Sequence, residues 1–246
     1  MGERTTPGAL SAASLDDATP EQIEAALEKL PEFYRDDMRI QLAARRAALE
    51  LIRRRRAAPA SVTIELAHRV FDKSEWGSGP WQDEPDLIVW HSMIEPERYL
   101  CQIMRNSCGS LCGYVTIPTG HPAHGLDLGA AHGLSAHRGV DFNGPAVESG
   151  GWTFGFHTGY AFDIQPLMDH RLRRQGLRPV REEPGCDLSE FGMGEEYRTV
   201  AYVRSEVEAL SAQLVAVARI GHWPVTSVEM GNALVALAKA GQWPKP

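Results

Sequence analysis

Apolar and polar residues change their rhythm twice along this chain. From Thr19 to Arg56 the apolar positions recur at helical spacing. Thr19-Pro20-Glu21-Gln22 reads as a helix start, with Thr19 as the cap, Pro20 at the first position and Gln22 closing a capping box. A short helix should reach about Leu30. A second should run from Glu32 to Arg56, with Phe33, Met38, Leu42, Leu49 and Ile52 on one broad face, and Ala58-Pro59-Ala60 should stop it.

Between Ser61 and Thr158 the rhythm shortens. Leu87-Ile88-Val89-Trp90, Tyr99 to Arg105, Leu111 to Ile117 and Trp152 to His157 are short runs rich in β-formers and bounded by turn residues. Leu134 to Val140 is a weaker strand candidate. Asn106-Ser107-Cys108-Gly109-Ser110 has the make-up of a tight hairpin loop. No helix-length crossover separates the strands, so the pattern predicts an antiparallel meander.

Helical spacing returns from Glu195 to Ile220. Val200, Val203, Val207, Leu210, Leu214 and Val217 form an apolar seam. A helix packed on its own sheet needs such a seam. The alternative is a homodimer zipped through residues 198–219. Gly221 should end this helix, and Thr226 with Glu229 should open another. Val215-Ala-Val-Ala-Arg-Ile-Gly-His-Trp-Pro224 is echoed by Val235-Ala-Leu-Ala-Lys-Ala-Gly-Gln-Trp-Pro244, which reads as two helices stopped in the same way. The fold class is therefore α+β: a central antiparallel sheet, an N-terminal helical arm, and C-terminal helices packed on one face. The divisions expected are a tail at 1–18 too poor in apolar residues to fold alone, a helical arm at 19–60, a core at 61–220 and a helical extension at 221–246.

Composition removes several function classes. A formal net charge of −7 over 246 residues argues against a whole-surface nucleic-acid binder. Only Arg53, Arg54, Arg55 and Arg56 could meet an acidic partner or nucleic acid, and no aromatic residues stand among them to stack on bases. No apolar run approaches ~20 residues, so no membrane helix is expected. Cys101, Cys108, Cys112 and Cys186 lack paired zinc-finger spacing and are expected as reduced thiols.

The polar chemistry concentrates between Cys112 and Asp163, where His121, His124, His132, His137 and His157 stand among glycines, Asp127 and Asp141. Imidazole is both a metal ligand and a proton carrier. Pro118-Thr-Gly-His121-Pro-Ala-His124-Gly-Leu-Asp127 cannot be a regular helix. His121, His124 and Asp127 could share a divalent metal ion, or each imidazole could fix its loop on a backbone carbonyl. Gly133 would present His132 at a sharp bend. On a strand, Trp152, Phe154 and Phe156 share one face while Thr153, Gly155 and His157 share the other, and Asp163 could orient His157.

Five blocks carry a resemblance. They are Trp76-Gly-Ser-Gly-Pro-Trp-Gln-Asp-Glu-Pro-Asp86, Cys112-Gly-Tyr-Val-Thr-Ile-Pro-Thr-Gly-His-Pro-Ala-His-Gly125, His132-Gly-Leu, Trp152-Thr-Phe-Gly-Phe-His157 and the stretch from Tyr197 to Leu214. From about Val70 to Leu214 the chain resembles a family of uncharacterised proteins of tailed bacteriophages and prophages. That family reads Trp-Trp-Phe-Gly-Phe-Asp-Cys-Ala-His-Ala-Gly-Asp in the fourth block. Here His157, Thr158 and Tyr160 replace its first aspartate, cysteine and histidine, and only Asp163 keeps its type. The resemblance implies a phage origin and a shared β fold, and it supplies no activity. With the reduced thiols and no apolar secretion signal, the expected place is the cytoplasm of a bacterial host.

The leading expectation is a non-catalytic accessory protein. Its His/Gly-rich pocket would use His121, Gly125, His132, Gly133, Trp152, His157 and Tyr160 to hold a small anionic ligand or grip a host protein, with counter-defence as one such role. A metal-assisted hydrolase is the alternative, with His132, His157 and Asp163 as catalytic candidates and His121, His124 and Asp127 on the metal. A helical assembly module with purely structural histidine loops is the third.

Overall fold

A computed structural model describes residues 19–29, 32–57, 65–92, 94, 96–146, 150–160, 162–177, 196–224 and 227–241. Its centre is one six-stranded, wholly antiparallel sheet in the order β1-β2-β3-β4-β6-β5. The strands are β1 Glu65–His68, β2 Leu87–His91, β3 Leu100–Arg105, β4 Leu111–Ile117, β5 Phe142–Pro145 and β6 Trp152–His157. β1 to β4 form a meander, and β5 folds back outside β6 to close the far edge. The helices are α1 Pro20–Leu27, α2 Glu32–Ala57, α3 Pro166–Arg174, α4 Val200–Ile220 and α5 Ser227–Lys239. No described helix is long and apolar enough to cross a membrane.

Strand alternation divides the sheet into two apolar faces. Ile88, Trp90, Cys101, Ile103, Leu111, Val115, Phe154 and Phe156 meet the α4 seam of Val203, Val207, Leu210, Leu214 and Val217. That seam is buried against its own sheet, and α5 covers more of the same helix. The dimer alternative for residues 198–219 has no free apolar seam left. Thr199 caps α4 by accepting from the Tyr202 N–H at 3.3 Å, so the helix starts at Val200. Gly221 ends it at φ 83°, a left-handed conformation that glycine adopts without strain. The expected start at Thr226 lies outside the described residues.

The opposite face, carrying Leu66, Leu87 and Val89, packs on α2. The helical arm thus forms a third layer against β1, β2 and β3. The buried stripe of α2 is Ile40, Ala44, Ala47, Ala48 and Leu51, rotated from the face read off the sequence. Met38 is exposed there, and the side chains of Phe33, Leu49 and Ile52 lie outside the description. Of the arginine run only the Arg54 side chain is described. It pairs with Glu50 at 2.7 Å, one helical turn back, as a solvated helix end would. The capping box of α1 forms in both directions, Gln22 N–H to Thr19 Oγ1 at 3.3 Å and Thr19 N–H to Gln22 Oε1 at 2.8 Å.

One expected strand is absent. Residues 134–140 run as turns after a 3-10 turn at Ala130–Gly133, and Arg138 takes φ 55°. The Ser135 N–H and C=O bond to the Gln213 side chain instead of a neighbouring strand. The strand that pairs with β6 begins at Phe142.

Beneath the apolar layers lies a buried ionic knot. Arg105, with no exposed surface, donates to Asp86 Oδ1 at 2.8 Å, Gly109 O at 2.9 Å, Tyr197 OH at 2.7 Å and Glu84 Oε2 at 3.2 Å. Lys73 Nζ reaches Asp86 Oδ1 at 2.6 Å, and its pKa is pushed down by burial. Asp86 Oδ2 accepts from the Val70 and Phe71 N–H groups. Glu84 Oε1 accepts from Val200 N at the start of α4. The knot ties the 69–86 loop, the β3–β4 hairpin and α4 together.

Candidate functional site

The histidines do not converge on one pocket. β6 spreads them out, because Trp152 and His157 occupy opposite ends of a strand roughly 16 Å long at ~3.3 Å per residue. At the Trp152 end, His124 packs its ring against that tryptophan and bonds through Nε2 to Gly150 O at 2.9 Å. His121 is buried, with Nε2 on Leu214 O at 2.9 Å and Nδ1 accepting from Ala123 N at 3.0 Å. Each ring therefore fixes its loop on backbone. Among the described residues no three His, Cys, Asp or Glu side chains are placed to hold a metal ion, so the expected His121, His124 and Asp127 set does not form. Gly125 and Gly133 are exposed. The His132 side chain lies outside the description.

The donor pattern of His121 fixes it as the neutral tautomer protonated at Nε2. Burial pushes its pKa down, against the raising effect of the Leu214 carbonyl. A lowered histidine pKa contributes stability in full above the unfolded value of about 6.5, and that stability is lost as pH falls through the folded value. His121→Gln should therefore flatten the fall in urea midpoint as pH drops below about 6.5. Identical pH slopes for the variant and the parent would refute this account.

At the other end of β6 two histidine–aspartate pairs stand side by side. Asp141 immediately precedes β5, and the β5–β6 pairing brings it beside His157. Its Oδ2 receives the His157 Nδ1, the His157 N–H at 3.2 Å and the Tyr160 hydroxyl at 3.0 Å. The His157 ring stacks on Tyr160 with centroids 4.5 Å apart and planes 22° from parallel. With 39% of its side chain exposed, His157 turns an Nε2 without a partner among the described residues towards the surface. Burial first, then the hydrogen bond and charge of Asp141, push the Tyr160 pKa up to about 12, so its hydroxyl stays a donor.

The second pair lies directly beneath. Asp163 is 1% exposed and receives His137 Nε2 at 2.9 Å on Oδ2 and Arg198 Nε at 3.1 Å on Oδ1. His137 Nδ1 meets the Tyr202 hydroxyl at 2.9 Å, in the first turn of α4. Tyr160 joins the two pairs, since its N–H donates to Asp163 Oδ2 at 3.3 Å. Burial works to raise the Asp163 pKa, but the hydrogen bond and charge of His137, followed by Arg198, hold it below the ordinary carboxylate value. Arg138 completes the group, with Cζ 5.4 Å from the Tyr160 ring centre.

No family model matches the chain, and no curated protein or solved structure matches it either. What the chain can do is therefore read from this geometry. His157, Tyr160 and Asp163 meet as the sequence suggested, but Asp163 serves His137 while Asp141 serves His157. His137 and Asp141 stood in the histidine-rich stretch without an assigned role, and Arg138, Arg198 and Tyr202 were not singled out. Only strand register and the docking of α4 bring them in, and neither can be read from local spacing.

Proposed function

We propose that this chain is a phage accessory protein that binds a small anionic ligand at the His157 face without turning it over. The observation carrying this reading is the half-exposed His157 ring, clamped by Asp141 and stacked on Tyr160, with the Arg138 guanidinium beside the same tyrosine. An imidazole held through Nδ1 offers Nε2 outward, and a guanidinium offers a donor fork suited to phosphate or carboxylate. The phage setting is supported by the sequence resemblance. The family's Asp, Cys and His are replaced at 157, 158 and 160, which favours recognition over their chemistry.

Calorimetry with inorganic phosphate, AMP and cyclic AMP tests the reading. At least one should bind, and His157→Ala and Arg138→Ala should each weaken it by about 10-fold or more, the loss expected for one charge-assisted hydrogen bond. If none binds at millimolar concentration, the reading fails.

One observation favours a second reading. A carboxylate on Nδ1 with Nε2 free is also how a general base is held. Release of product from nucleotide or ester substrates, abolished by Asp141→Asn, would replace binding by hydrolysis. The metal-assisted form of that reading has no donor set among the described residues.

A further inference from the structure

On the face of the sheet that meets α2 there is a cavity of about 330 Å³, within the range of ligand pockets, roughly 300–1,000 Å³. It exists because α2 presents Ala44 and Ala48, one turn apart, where its flanking contacts are Ile40 and Leu51. Small residues there leave the helix and the sheet apart over β3, β4 and β6.

The walls have a definite chemistry. Leu100 and Met104 supply an apolar floor on β3, and between them Gln102 faces the cavity from the middle of the strand. Gln102 has no hydrogen-bond partner among the described residues, and neither has Gln41, which lines the cavity from α2. Gln102 is half-buried and Gln41 exposed, so both amides remain open to an incoming ligand. At one side Tyr114 and Phe142 meet edge to face, with centroids 5.7 Å apart. The Tyr114 ring lies over Gly155, where any Cβ would come within 2.5 Å of it, so the absent side chain is what lets the ring settle there. The Thr116 and Thr153 hydroxyls, bonded to each other at 2.8 Å, form the opposite corner.

We propose that this cavity, whose lining also includes Arg45, is a second binding site for a small, flat heterocycle with an amide-like edge, of nucleobase size. The two glutamines each offer a donor and an acceptor to such an edge. Leu100 and Met104 provide a floor, and the aromatic pair a wall, for a planar ring. The site stands on residues separate from His157, and its existence does not depend on an anion binding there.

Ligand-observed NMR and calorimetry on the full chain, with adenine, uracil, indole and decanoate as probes, test it. Adenine or uracil should bind. Gln102→Ala should weaken that binding by about tenfold, the loss of roughly one hydrogen bond, and leave the affinity for indole unchanged. Ala48→Leu should fill the cavity and abolish binding of every probe while the circular dichroism spectrum is retained. If neither base binds, or if Gln102→Ala leaves base affinity intact, the proposal is overturned. Displacement of adenine by decanoate at lower concentration would mark a site for aliphatic chains and overturn it equally. Should Ala48→Leu fail to fold, Gln102→Ala still decides.

Discussion

Replacing Arg105 by Met should cost about 3–5 kcal/mol of folding free energy, the usual result of removing one partner from a buried ion pair. For a chain of this size that corresponds to a fall in Tm of roughly 6–20 °C. The methionine fills the space but leaves Asp86 with Lys73 as its one cationic partner among the described residues, beside the Val70 and Phe71 N–H groups, and it strips the Gly109 carbonyl and the Tyr197 hydroxyl of a donor. Arg105→Lys should recover only part of the loss, because one ammonium cannot reach acceptors that a guanidinium fork spans. Urea denaturation of the two variants measures both effects. A methionine variant within about 1 kcal/mol of the parent would show that the knot balances its own desolvation cost and contributes nothing net.

Asp163→Ala should be the next most damaging change, at about 3 kcal/mol near pH 7. It removes the acceptor shared by His137 and Arg198 and the support of the Tyr160 N–H, so anion binding at His157 should weaken along with stability. The pH dependence has a definite sign. Because the folded state depresses the Asp163 pKa, its contribution is complete above the ordinary aspartate value of about 4 and disappears as pH falls through the lower folded value. Stability curves of parent and variant should therefore approach each other in acid. A gap of equal size at pH 7 and pH 3 would assign the loss to packing and not to charge.

Much of this architecture follows from local pattern. The capping box at Thr19, the β3–β4 hairpin, the alternation along β6 and the α4 seam each depend on neighbours within a few residues, and each stands as the chain suggests. What could not be read depends on partners far away. The buried stripe of α2 is Ile40, Ala44, Ala47, Ala48 and Leu51, set by which side of the helix docks on the sheet, while Met38 of the expected face is exposed. Residues 134–140 have strand-like composition, but the Gln213 side chain takes the backbone groups of Ser135 that a strand would have used. The site shows the same limit. The histidine-rich stretch does contain it, yet the partner of His157 follows from where β5 pairs, and the partner of Asp163 from the turn that carries His137. Arg105 sits at an inward strand position, which is the one hint in the sequence that an ion network lay beneath.

The outermost strands, β1 and β5, are four residues each. One carries Glu65, tied to Arg204 at 2.6 Å, and the other ends in Pro145, which has no amide hydrogen to offer. Short borders bearing a charge or lacking a donor are poor templates for an incoming chain. Among the described residues both margins of the sheet are thus poor starting points for growth by polymerisation, and crowding in solution should not favour fibrils built by strand addition there.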